Sequence, residues 1–201
     1  MKPFIWIFIL VFTSCNSRTN EKSKTQAQNQ SIKNIPNKET IIWNTEHVKI
    51  SGDSSGKYSI NYASYKFEPY LNFEDYTTPH IYKGNHAVIK LNSHELAKQY
   101  KTIITETYYK EGLNFAGHYC FIWWGCGSPC KGSAVVDLKT GDVYEGPTSS
   151  LGYEFKKNSR MIIINPPDSS GFFDDCAFCH PEIWIWDEDA KKFHQKEPTY
   201  K

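Results

Sequence analysis

Residues 4–12, Phe-Ile-Trp-Ile-Phe-Ile-Leu-Val-Phe, form an unbroken apolar run behind Lys2, with Thr13 and Ser14 leading into Cys15. At helical rise such a run reaches about 14 Å, against a hydrocarbon core of roughly 30 Å, so it is too short to span a bilayer. A basic start, a short apolar stretch and small residues at its end mark residues 1–14 as a secretory signal peptide. Export constrains the fold of everything that follows. The chain matures where thiols oxidise, so each later cysteine is a candidate for a disulfide.

The position of Cys15 after Thr-Ser resembles the lipobox of bacterial lipoproteins, with Phe12 where Leu is usual. That resemblance implies that Cys15 becomes the acylated N-terminus and that the partner at this end is the membrane itself. Asn16 stands where some bacteria place the Asp that retains lipoproteins in the inner membrane, so the resemblance points to the outer membrane. Residues 16–38 are dominated by Asn, Ser, Lys, Thr and Gln and offer too little apolar surface to offset ordering entropy. Together with Cys15 they read as a flexible tether, 15–38, of roughly 25 Å root-mean-square span. The folded body is expected over 39–201.

That body has the composition of a single domain. Hydrophobic residues make up 39% of the chain and aromatics 15%, far too many for a disordered coil. Lys plus Arg number 23 and Asp plus Glu 22, a net charge of +1 that excludes a phosphate-backbone binder and so a nucleic-acid partner.

Strand patterns are expected near 40–43, 47–50, 58–62 and 86–91, and then from 115 to 124, 133–138, 143–144, 161–164 and 183–194. Lys139-Thr140-Gly141-Asp142 reads as a hairpin turn with glycine at positive φ, and Asp187 to Ala190 as another. One helix stands out near 93–111. Leu96, Tyr100, Ile103, Ile104, Thr107 and Tyr108 share a face; Asn92 or Ser93 is placed to cap it, and Gly112 to end it. The predicted class is α+β, dominated by antiparallel sheet built as a meander of hairpins, with that one main helix.

Asn114-Phe115-Ala116-Gly117-His118-Tyr119, then Trp124-Gly125-Cys126-Gly127 and Cys130, then Asp137-x-Lys139-Thr140-Gly141-x-Val143 form a pattern. It resembles a family of small exported bacterial proteins of uncharacterised function. The resemblance covers roughly residues 112–190. It implies an extracytoplasmic β-rich domain and no particular reaction.

Beyond Cys15 the cysteines are Cys120, Cys126, Cys130, Cys176 and Cys179. Cys120 lies in an aromatic strand and reads as a buried free thiol. For the other four, three readings compete. Structural disulfides are favoured; pairing between the clusters closes loops of about 50 residues, worth roughly 4 kcal/mol by chain entropy, against about 2 kcal/mol for each local pair. Cys176-Ala177-Phe178-Cys179-His180 is a full C-x-x-C-H, the attachment sequence for c-type haem, with Met161 or a histidine as sixth ligand. Four clustered thiolates would also suit zinc.

No recognised catalytic constellation is present, and neither H-E-x-x-H nor a glycine-rich phosphate loop occurs. Asn114 and His118 are the residues on which an unrecognised enzyme would centre. Asp168, Asp174 and Asp175 form a loop of carboxylates that reads as solvated rather than metal-binding. Asn114, His118, Trp124, Trp184 and Trp186 are the candidates to face a ligand; Trp184 and Trp186 share one strand face, which would make a platform if exposed, although core packing is the more frequent fate of such pairs. The favoured function is a non-enzymatic, lipid-anchored envelope domain, cofactor-free, that binds a protein, peptide or glycan. The alternatives are a haem electron carrier and the unrecognised enzyme.

Overall fold

A computed structural model describes residues 40–52 and 61–198. The leader at 1–14, Cys15, the tether at 15–38 and the 58–60 part of one expected strand lie outside them. In chain order the described elements are β1 (Thr40–Asn44), β2 (Val48–Gly52), β3 (Asn61–Lys66), a 3-10 turn (Phe73–Tyr76), α1 (Glu95–Gln99) and α2 (Lys101–Glu111). There follow β4 (Tyr119–Gly127), β5 (Cys130–Asp137), β6 (Val143–Glu145), β7 (Tyr153–Phe155), β8 (Met161–Ile164), β9 (Phe172–Asp174), β10 (Glu182–Asp187) and β11 (Lys192–Lys196). All pairings are antiparallel, and the class is α+β dominated by sheet. The strands form three sheets rather than one, in the orders β1-β2-β3-β9, β4-β5-β6 and β11-β10-β8-β7.

Alternation along β4 sets the layering, because successive side chains of a strand point to opposite faces. Cys120, Ile122 and Trp124 join Ala134 and Val136 under the helices, against Ala97, Ile104 and Tyr108. Tyr119 and Phe121 point the other way and pack with Val135 on Ile162, Ile164 and Trp186 of the second sheet. The far face of that sheet, Met161, Ile163, Ile183 and Ile185, is closed by Phe73 of the 3-10 turn and the segment before it. The β4-β5-β6 sheet is therefore buried on both faces. This explains why β4 reads as a continuous apolar run where a half-exposed strand would alternate.

The helical face is as the sequence predicts, but the helix is interrupted. Tyr100, at φ −107° and ψ 28°, separates α1 from α2. The cap is His94, whose Nδ1 accepts the Leu96 N–H at 3.2 Å. Ser93 is taken elsewhere, its hydroxyl accepting the Val143 N–H at 3.0 Å. Gly112 ends α2 at φ 57° and ψ −136°, backbone that only glycine reaches without strain. Residues 86–91 are not a strand. They run beside the β5–β6 turn, held by Ala87 N–H to Leu138 O at 2.9 Å and Lys90 N–H to Gly141 O at 2.7 Å. Gly141 sits at φ +79°, as its turn requires, and a Cβ there would collide with the Val88 carbonyl. Among the described residues no helix is long and apolar enough to cross a membrane.

Candidate functional site

Two disulfides are present, and both are local: Cys126–Cys130 and Cys176–Cys179. Chain entropy favours the inter-cluster pairing, but geometry overrides it. The β4–β5 hairpin sets Gly127 opposite Cys130, which brings Cys126 within bonding reach, at a Cα separation of 5.1 Å. Cys176 and Cys179 close a turn in which the Cys179 N–H donates to the Cys176 carbonyl. Cys120 is the free thiol, buried, and burial pushes its pKa up to about 12. It is a packing group, not a nucleophile.

Paired in this way, the four sulfurs offer neither cofactor alternative a free thiolate. Zinc needs free thiolates, and all four clustered sulfurs are tied in pairs. Among the described residues no group of three or more His, Cys, Asp or Glu side chains is placed to hold a metal. Asp168 is consumed by its own loop: its Oδ1 accepts from the Phe172 N–H at 2.9 Å and from the Ser170 N–H and hydroxyl at 2.8 and 2.7 Å. Haem fits no better. The two sulfurs that would form the thioethers are bonded to each other, and His180 is an exposed side chain with its ring tilted against Phe173, centroids 5.4 Å apart. Met161 is fully buried in the core. The cleft beside the turn holds about 260 Å³, below the usual range even for a drug-sized ligand.

Asn114 and His118 do not share a site. The Asn114 amide is spent on the backbone of Phe121: its Oδ1 accepts the Phe121 N–H at 2.6 Å and its Nδ2 donates to the Phe121 carbonyl at 3.0 Å. His118 follows a sharp turn in which Ala116 and Gly117 take φ of 43° and 78°. Its Nε2 lies 3.8 Å from Glu188 and 4.0 Å from Asp137. Burial pulls its pKa below the usual 6.5, against the opposing Glu188 carboxylate. Glu188 in turn accepts from the Tyr119 hydroxyl at 2.6 Å, and Lys191 donates to that hydroxyl at 2.7 Å. This network clamps the β10–β11 turn onto the start of β4. Neither described cleft includes any of its members, and the His118 side chain is only 15% exposed.

Of the two fates open to Trp184 and Trp186, the core is the one they take. Trp186 is completely buried, and Trp184 beside it on the same face is half-buried with its indole N–H on Glu182. The face they share is the inner face of the second sheet, opposite Ile162, so it packs on core rather than forming a platform. Trp124 is buried under α1 with its ring 4.4 Å from Tyr100. Trp123, its neighbour of opposite parity, is the exposed one, at 46%.

Trp123 opens onto a cleft of about 410 Å³. One wall is a face of α2 carrying Ile103, Glu106, Thr107, Lys110 and Glu111; the other is Phe155 of β7, and the floor is Phe121, Trp123 and Asn114 of the β4 margin. Phe155 packs tilted against Phe121 with ring centroids 4.8 Å apart, and the Tyr153 ring lies 6.4 Å from that of Trp123. Apolar rings thus line one side of the cleft and charged or hydroxylated groups the other. Of the residues expected to meet a ligand, only Asn114 lies here. Comparison with protein-family models, with curated proteins and with solved structures finds no match to this chain.

Proposed function

We propose that this protein is a lipid-anchored domain of the bacterial cell envelope. It is held through Cys15, in the outer membrane, and binds a ligand without transforming it. The observation that carries the binding half of this reading is the aromatic-floored cleft between α2 and β4. Its volume of about 410 Å³ lies within the range of ligand sites. Rings on one wall and Thr107, Glu106 and Lys110 on the other supply apolar contact together with polar orienting groups. The strand that forms the floor ends in the hairpin closed by Cys126–Cys130, which holds it in place. Two intact disulfides support an oxidising compartment, and the leader with Cys15 supports the anchor.

Two experiments test the two halves separately. Cys15→Ser in the full chain should move the protein from the membrane pellet to the soluble fraction; retention in the membrane would contradict the anchor. A photo-crosslinking amino acid placed at Trp123 in living cells should give a discrete adduct. The same group at exposed Val88, which lies against Gly141 of the β5–β6 turn and does not line the cleft, should not. Equal labelling at both positions, or none at Trp123, would contradict the cleft.

A further inference from the structure

The pairing register of β4 shows which of its backbone groups face its partner and which face outward. In an antiparallel ladder, alternate residues direct both N–H and C=O away from the neighbouring strand. Phe121 is paired opposite Val135, yet its N–H and carbonyl are bonded to Asn114, so it is one of the outward-facing residues. Tyr119 is another, exchanging both bonds with Phe115. The same parity makes Trp123 and Gly125, opposite Ser133 and Lys131, outward-facing. Lys131 agrees from the other strand: its N–H and carbonyl exchange bonds with Ser149, away from β4.

β4 lies at the margin of its sheet. Its outer edge is closed at Tyr119 by Phe115 and at Phe121 by the Asn114 side chain, which acts as a one-residue substitute strand. At Trp123 and Gly125 it is open, with no backbone partner across that edge among the described residues. A sheet edge left open and flanked by an exposed tryptophan is a template for another chain. Here the opening at Trp123 lies on the cleft floor, between α2 and β7, and Gly125 continues the same edge just beyond the lining.

We infer that the cleft takes an extended peptide, which adds a strand to β4 by bonding to the backbone of Trp123 and Gly125. The inference rests on the binding reading above and names its ligand class. Strand addition draws affinity from main-chain bonds and specificity from alternating side chains. One set of ligand side chains would turn toward Phe155 and Trp123, and the alternate set toward Thr107, Glu106 and Lys110. The chemistry is an alternating apolar and polar sequence without proline at the positions that face β4.

The test uses the full chain, extracted from membranes in detergent, and a displayed library of linear dodecapeptides as the probe. The selected peptide is synthesised with one backbone N-methyl group at each position in turn. Strand addition predicts an alternating profile: at least tenfold weaker binding at every second residue of a short central stretch, and little change between. Gly125→Pro removes the outward N–H and should abolish binding. A Cβ on Gly125 meets nothing within 4 Å, its φ is not positive, and the N–H that the ring replaces has no backbone partner across the open edge among the described residues. A flat N-methyl profile overturns the inference whether or not that variant folds. If binding is then still lost on Trp123→Ala, the cleft reading survives without strand addition. If the library yields no binder sensitive to Trp123→Ala, both fail.

Discussion

Removing the Cys126–Cys130 disulfide distinguishes local stapling from long-range stapling by its energetic cost. The bond spans a sequence separation of 4. By loop-closure entropy, a ring of that size constrains the unfolded chain by about 2 kcal/mol, whereas a link between the clusters would constrain it by about 4 kcal/mol. A domain of this size is stable by roughly 5–15 kcal/mol, so Cys126→Ser/Cys130→Ser should fold and show a reduced urea midpoint, with a loss of about 2 kcal/mol. Non-reducing tryptic maps give an independent reading. Residues 111–131 hold Cys120, Cys126 and Cys130, and residues 161–191 hold Cys176 and Cys179. The two peptides should run separately, and denatured, unreduced protein should expose one thiol in the folded body, that of Cys120. A linked pair of peptides, or a stability loss of 4 kcal/mol or more, would refute the local pairing.

Two further substitutions probe the margins of β4. Asn114→Ala strips both bonds from the Phe121 backbone and should cost about 2 kcal/mol, since a buried polar group left unpaired costs roughly 1–3 kcal/mol; an unchanged urea midpoint would show that the amide does not hold the edge. His118 titrates below its ordinary 6.5 in the folded protein, so the unfolded chain binds a proton that the folded one resists. Its contribution is therefore complete above about pH 6.5 and declines as pH falls through that value toward the folded pKa. His118→Gln should flatten the stability profile between about pH 7.5 and pH 5.5; an unaltered slope would assign the dependence to another group.

The sequence conveys the layers better than it conveys the site. The face shared by Ile104 and Tyr108 and the glycine turn at Gly141 are local features, and periodicity and turn chemistry read them correctly. β7 and β9 span three residues each and are too short for any period to register. The Trp184–Trp186 pair was legible as sharing a face, but not which way that face points, because the second sheet that buries it is assembled from distant strands. Trp123 and Trp124 illustrate the same difficulty: alternation shows that they part, and only the helices lying over Cys120 and Ile122 show which one goes inward. The disulfide pairing turned on a hairpin register that loop entropy does not contain. Edge status is wholly non-local. Nothing within residues 119–127 tells that Trp123 and Gly125 lack a neighbour, although Asn114 seven residues before Phe121 is a usable hint once the strand is known.

Amide hydrogen exchange at Trp123 and Gly125 tests the central claim most directly. In the free protein these two amides should exchange rapidly, while those of Ile122 and Trp124, committed to the β5 ladder, stay protected. Saturation with a peptide selected on the cleft should slow Trp123 and Gly125 and leave the other two unchanged. Fast exchange that persists in the complex, or protection already present without the peptide, would contradict an open strand edge as the place where this protein meets its ligand.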